Sequence, residues 1–227
     1  MLTKSESRWL KTQDGYLQAV LKVMDEFDIP SRIKLLLPPL NPMEARKILY
    51  HLDLMCPILK AQDCIADLFS AGMETIHNRF PLEEWLHIYT DGSKLEMDGV
   101  AGAGIFCEHF SHYLSLGTAK TAFDGEVEAI KVALTHLNTH PSLFDKAVSF
   151  SDSQAAILAI ANYSQAPGSL SIVKCRSLMA EIGEKYKTIA LQWIPSHCGI
   201  PGNEKADVLA KKGCLVKPCR LVKPSPK

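Results

Sequence analysis

Four carboxylates and one histidine stand at places in this chain where chemistry could be done. Asp91 ends a short apolar strand and is followed by Gly92, which lets the backbone come close to a ligand. Glu126 falls in the first turn of a long helix, Asp152 just past the end of a strand, and Asp207 in the first turn of the final helix. His197 lies in a loop, ten residues before Asp207. In an open α/β sheet, strand ends and neighbouring helix starts are where ligand crevices form. Four carboxylates gathered there would repel one another unless cations sat among them. Oxygen-only ligands suit Mg²⁺ or Mn²⁺ rather than zinc. Two such ions about 3.5–4 Å apart can activate a water and stabilise the leaving oxygen in phosphodiester cleavage. A plainer alternative stays open, in which Asp207 is a solvated carboxylate favoured by the helix dipole and His197 a surface loop residue. Only a fold can bring the four acids together.

The elements that must position these residues can be read from periodicity and turn chemistry. From Leu86 the pattern is of strands: Leu86–Tyr89 runs into Thr90-Asp91-Gly92-Ser93, Val100–Cys107 follows an Asp98-Gly99 turn, and His109–Gly117 reads as its hairpin partner. A helix is expected over 123–139, a strand over 147–151, helices over 155–163 and 170–186, and a last strand over 188–194. Pro195, Gly199, Pro201 and Gly202 delay the final helix to about Asn203, a good cap. A hairpin followed by alternating strands and helices implies an α/β fold, a mixed sheet with helices packed on it. Residues 1–80 read as a separate helical segment, with helical spacing over 9–27, a helix start at Asn41-Pro42-Met43-Glu44 that Pro57 ends or kinks, and a helix over 60–77. The tail from 214, proline-rich and basic, reads as disordered.

Composition narrows the classes. Of the 227 residues 47% are hydrophobic, enough for a real core. Residues 81–213 carry 11 Lys/Arg against 15 Asp/Glu, an acidic body that suits nucleic acid only if cations change the local sign. Seven cysteines, an odd number with no CxxC pair, argue against a disulfide framework or structural zinc and for a reducing, intracellular compartment. No signal peptide or membrane-spanning apolar run is visible, so no membrane role is expected.

Five strings, YTDGSK (89–94), GAGI (102–105), FDGEVEAIKVAL (123–134), FSDSQAA (150–156) and WIPSHCGIPGNEKADVLAK (193–211), stand in order at the matching strand and helix ends. Over residues 85–213 the chain resembles the type I ribonuclease H family, most closely the ribonuclease H domain of non-LTR retrotransposon polyproteins. The resemblance implies a mixed five-stranded sheet over 81–213, with residues 1–80 a possible remnant of the polymerase-to-nuclease connection. It implies a metal-dependent endonuclease that hydrolyses the RNA strand of RNA–DNA hybrids by a two-metal mechanism, leaving 3′-hydroxyl and 5′-phosphate ends. Asp91, Glu126, Asp152 and Asp207 match the family's metal ligands, for two Mg²⁺ ions with Mn²⁺ as a substitute. Glu126 rather than Glu128 stands three residues before the Ala of the family's string, and Glu128 faces away from it on the helix. His197 matches the mobile-loop histidine that transfers a proton or helps product leave. Gly92, Ser93 and Gln154 match positions that sense 2′-hydroxyls along the minor groove of the hybrid. Glu204 is a possible accessory, or a contributor to the helix start.

Departures from the family qualify this. Residues 155–170 hold no Lys or Arg, so the basic helix that some members use to grip the hybrid is missing and binding should be weak and salt-sensitive. Ala122 and Phe123 replace amides found in some cellular members, which bears on hybrid preference. No polymerase motif occurs in residues 1–80, so a reverse transcriptase domain would be a missing partner; the chain is expected to be a monomer. Two other classes remain: a catalytically silent remnant or nucleic-acid-binding module, which would bind hybrid without cutting it, and a transposase or integrase, which would cut duplex DNA.

Overall fold

A computed structural model describes residues 49–57, 64–95, 99–162 and 168–216, together with Glu26. The helix expected over 9–27, the start at Asn41 and the tail beyond 216 lie outside the described residues, apart from Glu26, which is helical. The strands are β1 (Leu49–His51), β2 (Trp85–Lys94), β3 (Ala101–Cys107), β4 (Ser111–Gly117), β5 (Lys146–Ser151) and β6 (Thr188–Trp193). The helices are α1 (Ile65–Arg79), α2 (Ala122–Thr139), α3 (Gln154–Ala161), α4 (Leu170–Glu184) and α5 (Pro201–Leu215). The sheet order is β1-β6-β5-β2-β3-β4, parallel from β1 to β2 and antiparallel from β2 to β4.

The sheet therefore has six strands where five were expected. The sixth, β1, comes from a stretch read as helical; Leu49, Tyr50 and His51 pair in parallel with Ala190, Leu191 and Gln192 of β6. Arg79 of α1 secures the chain just after it, donating from Nη1 to the Asp53 carbonyl at 3.0 Å and to Gln192 Oε1 at 2.9 Å. Both β1 and α1, assigned from sequence to a separate segment, fall in one compact unit that begins at Ala45.

Central strands buried on both faces lose the polar alternation of a half-exposed sheet. In β5, Ala147 packs into one apolar layer while Val148 and Phe150 pack into the other, and all three are fully buried. The first layer joins the sheet to α2, α3 and α4 through Ile88, Ile105, Ile130, Leu134, Ile157 and Ile182. The second joins it to α1 and the loop before α5 through Ile76, Phe80, Phe150, Ala190 and Ile200. Helix starts follow local chemistry. Thr121 caps α2 reciprocally with Asp124, and Ser153 and Ser169 accept from Ala156 and Ile172 to cap α3 and α4.

The start of α5 differs from expectation. Pro201 occupies its first position, where a missing N–H costs nothing, so the helix begins two residues early. Asn203 is then inside the first turn, 2% exposed, and its side-chain oxygen meets no donor among the described residues. Asp207 consequently lies in the second turn rather than the first, and Glu126 lies just past the first turn of α2.

Candidate active site

The reach of β2 creates the site. Its parallel pairing with β5 ends at Thr90↔Ser151, while its antiparallel pairing with β3 runs on to Lys94↔Ala101. Asp91 is thus inside a long strand rather than at its end, immediately beyond the point where β5 gives way. Helices on opposite faces of the sheet come close there. Gly92 lies against α2, where a Cβ would collide with the Glu126 amide and the Ala122 carbonyl. Gly104, the partner of Asp91 across the hairpin, lies against α5, where a Cβ would collide with the Ala206 carbonyl and the Ala210 amide. Glu126 from one layer and Asp207 from the other can therefore approach Asp91, while Asp152 arrives directly from β5.

Asp91, Glu126 and Asp152 each offer a carboxylate oxygen, and these oxygens lie within 4.8 Å of one another. Asp91 and Glu126 are buried and Asp152 is half-buried. Burial, and then the neighbouring Asp152 and Asp207, push the Asp91 carboxyl up to about 7. Burial, with Asp91 and Asp152, raises Glu126 well above the usual carboxylate range. A hydrogen bond between Asp91 and Glu126 offsets part of the rise at Asp91 and adds to the rise at Glu126. Ser151 lies beneath them, its Oγ 3.4 Å from Glu126 Oε2 and accepting from the Ser153 amide at 3.1 Å. Trp193 steadies the backbone at Asp152, donating from its indole nitrogen to the Asp152 carbonyl at 3.1 Å.

One cleft gathers Asp91, Gly92, Ser93, Glu126, Asp152, His197 and Asp207. Lys94 and Lys211 line it as well. Asp207 accepts a 2.6 Å hydrogen bond from Lys211 Nζ, one helical turn on. Lys94 donates to the Thr118 and Lys120 carbonyls, tying β2 to the chain that leads into α2. His197 is exposed in the loop between β6 and α5, with a left-handed φ of 50°. That backbone region is uncommon for a residue other than glycine. The loop is held from both sides: Cys198 Sγ, buried, donates to the Pro195 carbonyl at 3.4 Å, and the Gly199 amide donates to Glu204 Oε1 at 3.3 Å.

Two expected residues are placed otherwise. Gln154 is exposed outside this cleft, beside Leu52, Asp53 and Trp193, and its amide is 3.4 Å from the Leu52 carbonyl. Glu204 does not line the cleft and instead holds the His197 loop. Glu128 is bound to Lys131 and Ser171, away from the acids. Sequence reading passed over Lys94, Ser151, Lys211 and the indole of Trp193. The four-residue spacing of Asp207 and Lys211 was a visible signal for one of them.

Three hard oxygen donors in reach of one another could hold a divalent cation. Such a centre can neutralise charge that develops on a phosphate.

A family model described as RNase H matches residues 83–215. No curated protein sequence matches the chain. Among solved structures, the RNase H1 of the halophilic archaeon Halobacterium salinarum NRC-1 is similar at 20% identity and a TM-score of 0.43, covering 57% of this chain and 96% of that one.

Proposed function

The chain belongs to the RNase H family and is a ribonuclease H, and on that premise we propose that it is an endonuclease cutting the RNA strand of RNA–DNA hybrids with two divalent cations. The observation that carries the reading is the meeting of Asp91, Glu126 and Asp152 within 4.8 Å, in a cleft that Asp207 and His197 also line. Asp91, Glu126, Asp152 and Asp207 would hold the ions, Mg²⁺ first and Mn²⁺ in its place. The ions supply a water activated at neutral pH and neutralise charge on the leaving oxygen.

The chain's own groups do the rest. Bound cations would favour the ionised forms of Asp91 and Glu126. His197, exposed at the rim, moves a proton at its ring nitrogen during attack or product release. Ser93 and the Gly92 backbone face the cleft and suit 2′-hydroxyls of the shallow minor groove. Gln154 can join them only after leaving Leu52. Descent from a non-LTR retrotransposon polyprotein belongs to the same proposal, with a reverse transcriptase domain as partner and the first part of the chain, up to about residue 80, as the connection to it. Among the described residues no helix is long and apolar enough to cross a membrane. Among the described cysteines, Cys107, Cys175 and Cys214 are buried free thiols, which suits a reducing compartment.

The test is cleavage of a labelled RNA–DNA hybrid at low salt in Mg²⁺ or Mn²⁺, beside an Asp152→Asn control. RNA-strand cleavage that needs metal and vanishes in the control is expected. A folded protein that binds the hybrid yet leaves it intact in both metals would refute the reading and leave a silent binding module.

A further inference from the structure

Three histidines gather well away from the acids. His112 stands on β4, at the edge of the sheet, and His136 in the last turn of α2, with His140 just past its end. His136 follows Glu126 by ten residues on the same helix, about 15 Å along its axis, so the group is remote from the candidate active site. Nε2 of His112 and Nδ1 of His136 face each other at 3.5 Å. His136 is stacked on Phe110, with ring centroids 3.9 Å apart, and on His140, 4.4 Å apart, which holds the plane of its ring. His140 is in turn tied to the helix end, its Nδ1 3.0 Å from the His136 carbonyl and 2.9 Å from Thr139 Oγ1. Burial, and then His140 and His112, lower the pKa of His136 from its ordinary value, so its imidazole is mostly neutral at pH 7.

We infer that His112 and His136 form a metal site separate from the acid cleft, a two-imidazole clip for Zn²⁺ that joins the edge strand β4 to the end of α2. The inference goes beyond the nuclease reading and does not depend on it. Imidazole nitrogen suits Zn²⁺, whereas Mg²⁺ takes oxygen ligands. A zinc–nitrogen bond is about 2.0–2.1 Å long. An ion at that distance from both atoms would see them about 115° apart, close to the tetrahedral angle of about 109°. In the present contact one of the two nitrogens carries a hydrogen. With the ion between them both offer a lone pair, and each neutral ring keeps its single proton on the opposite nitrogen. Water would complete the coordination, as at an open zinc site. The last turn of a helix also favours a cation, through its free carbonyls and the negative end of its dipole. His140 supports the site by stacking, with its Nδ1 already engaged by the helix end.

Zn²⁺ titration of the full chain, followed by the nitrogen NMR signals of the imidazole rings, tests this, with Mg²⁺ as the control ion. Through-space contacts with Phe110, which lies beside both rings, assign them in the unmodified chain. The His112 Nε2 and His136 Nδ1 signals are expected to shift together in Zn²⁺, with one midpoint, and to stay still in Mg²⁺. In His112→Gln, checked for folding by circular dichroism, the His136 shift should be lost. Rings that stay still at millimolar Zn²⁺, that shift with different midpoints, or that answer Mg²⁺ equally would overturn the site, and these outcomes need no variant. A His136 shift that survives unchanged in folded His112→Gln would overturn it too.

Discussion

Without divalent cations this protein should become less stable as the solution becomes less acidic, and Asp91 is the residue through which to see it. In the metal-free chain the Asp91 carboxyl is pushed from its ordinary 3.8 to about 7, first by burial and then by Asp152 and Asp207. An acid whose pKa is higher folded than unfolded holds its proton in the fold. Its contribution is whole below about pH 4 and is lost as the pH rises to about 7, because the folded chain binds more protons through that window. At about 1.4 kcal/mol per pH unit, the window corresponds to a loss of about 4 kcal/mol. The residue is 6% exposed, so solvent screens little of this. That is a large part of the 5–15 kcal/mol typical of a domain. Urea unfolding in EDTA at half-unit steps from pH 4 to 7.5 measures it, beside Asp91→Asn, which keeps the shape and removes the titration. The stability of the unmodified chain should fall across the window relative to the variant. Mg²⁺ at a hundred times its Kd should return about 2.7 kcal/mol at pH 7 to the unmodified chain and little to the variant. Parallel curves for the two proteins, differing by less than about 1 kcal/mol from end to end, would refute the reasoning.

Three further outcomes follow from contacts around the cleft. Gly104→Ala forces a Cβ against the Ala206 carbonyl and Ala210 amide, so it should cost about 1–3 kcal/mol of stability, seen as a lower Tm, and reduce hybrid cleavage by moving the helix that carries Asp207. Trp193→Phe removes the indole donor to the Asp152 carbonyl and should lower kcat about five-fold, the equivalent of about 1 kcal/mol, with less effect on KM; an unchanged kcat would deny Trp193 a positioning role. Arg79→Met leaves the buried Gln192 oxygen without its cation and removes one of the two donors to the Asp53 carbonyl, the other being Gln192 Nε2, so it should cost about 1–3 kcal/mol, and hydrogen exchange should show β1 opening before the rest of the sheet.

Much of this architecture was legible before any coordinates. Strands β3 to β6 and helices α2 to α4 fall within a few residues of their expected bounds because alternation, helical spacing and capping are local signals: Thr121 with Asp124, Ser153 with Ala156. The acids were singled out by where they stand along the chain, at strand ends and near helix starts, and by the five strings that resemble ribonuclease H. Errors cluster where a non-local partner overrides a local signal. Leu49–His51 has the look of a helix continued from Asn41, yet the open edge of β6 recruits it as a strand. Asn203 has the chemistry of a cap, yet Pro201 starts the helix first. Gln154 sits in the string that suggested a substrate contact, yet it turns to the segment after β1, which sequence reading had placed in another domain.

The sequence by itself determined which residues carry charge, the order of the elements that hold them and the family of the chain, since each depends on neighbours a few positions apart. Only the tertiary structure decided that β2 outruns β5 by four residues, to Lys94. It also decided that two glycines let α2 and α5 close on the same point and that Asp91, Glu126 and Asp152 meet while Asp207 stands apart with Lys211. Strand register and helix packing join residues tens of positions apart, and no local pattern states how far one strand runs past another.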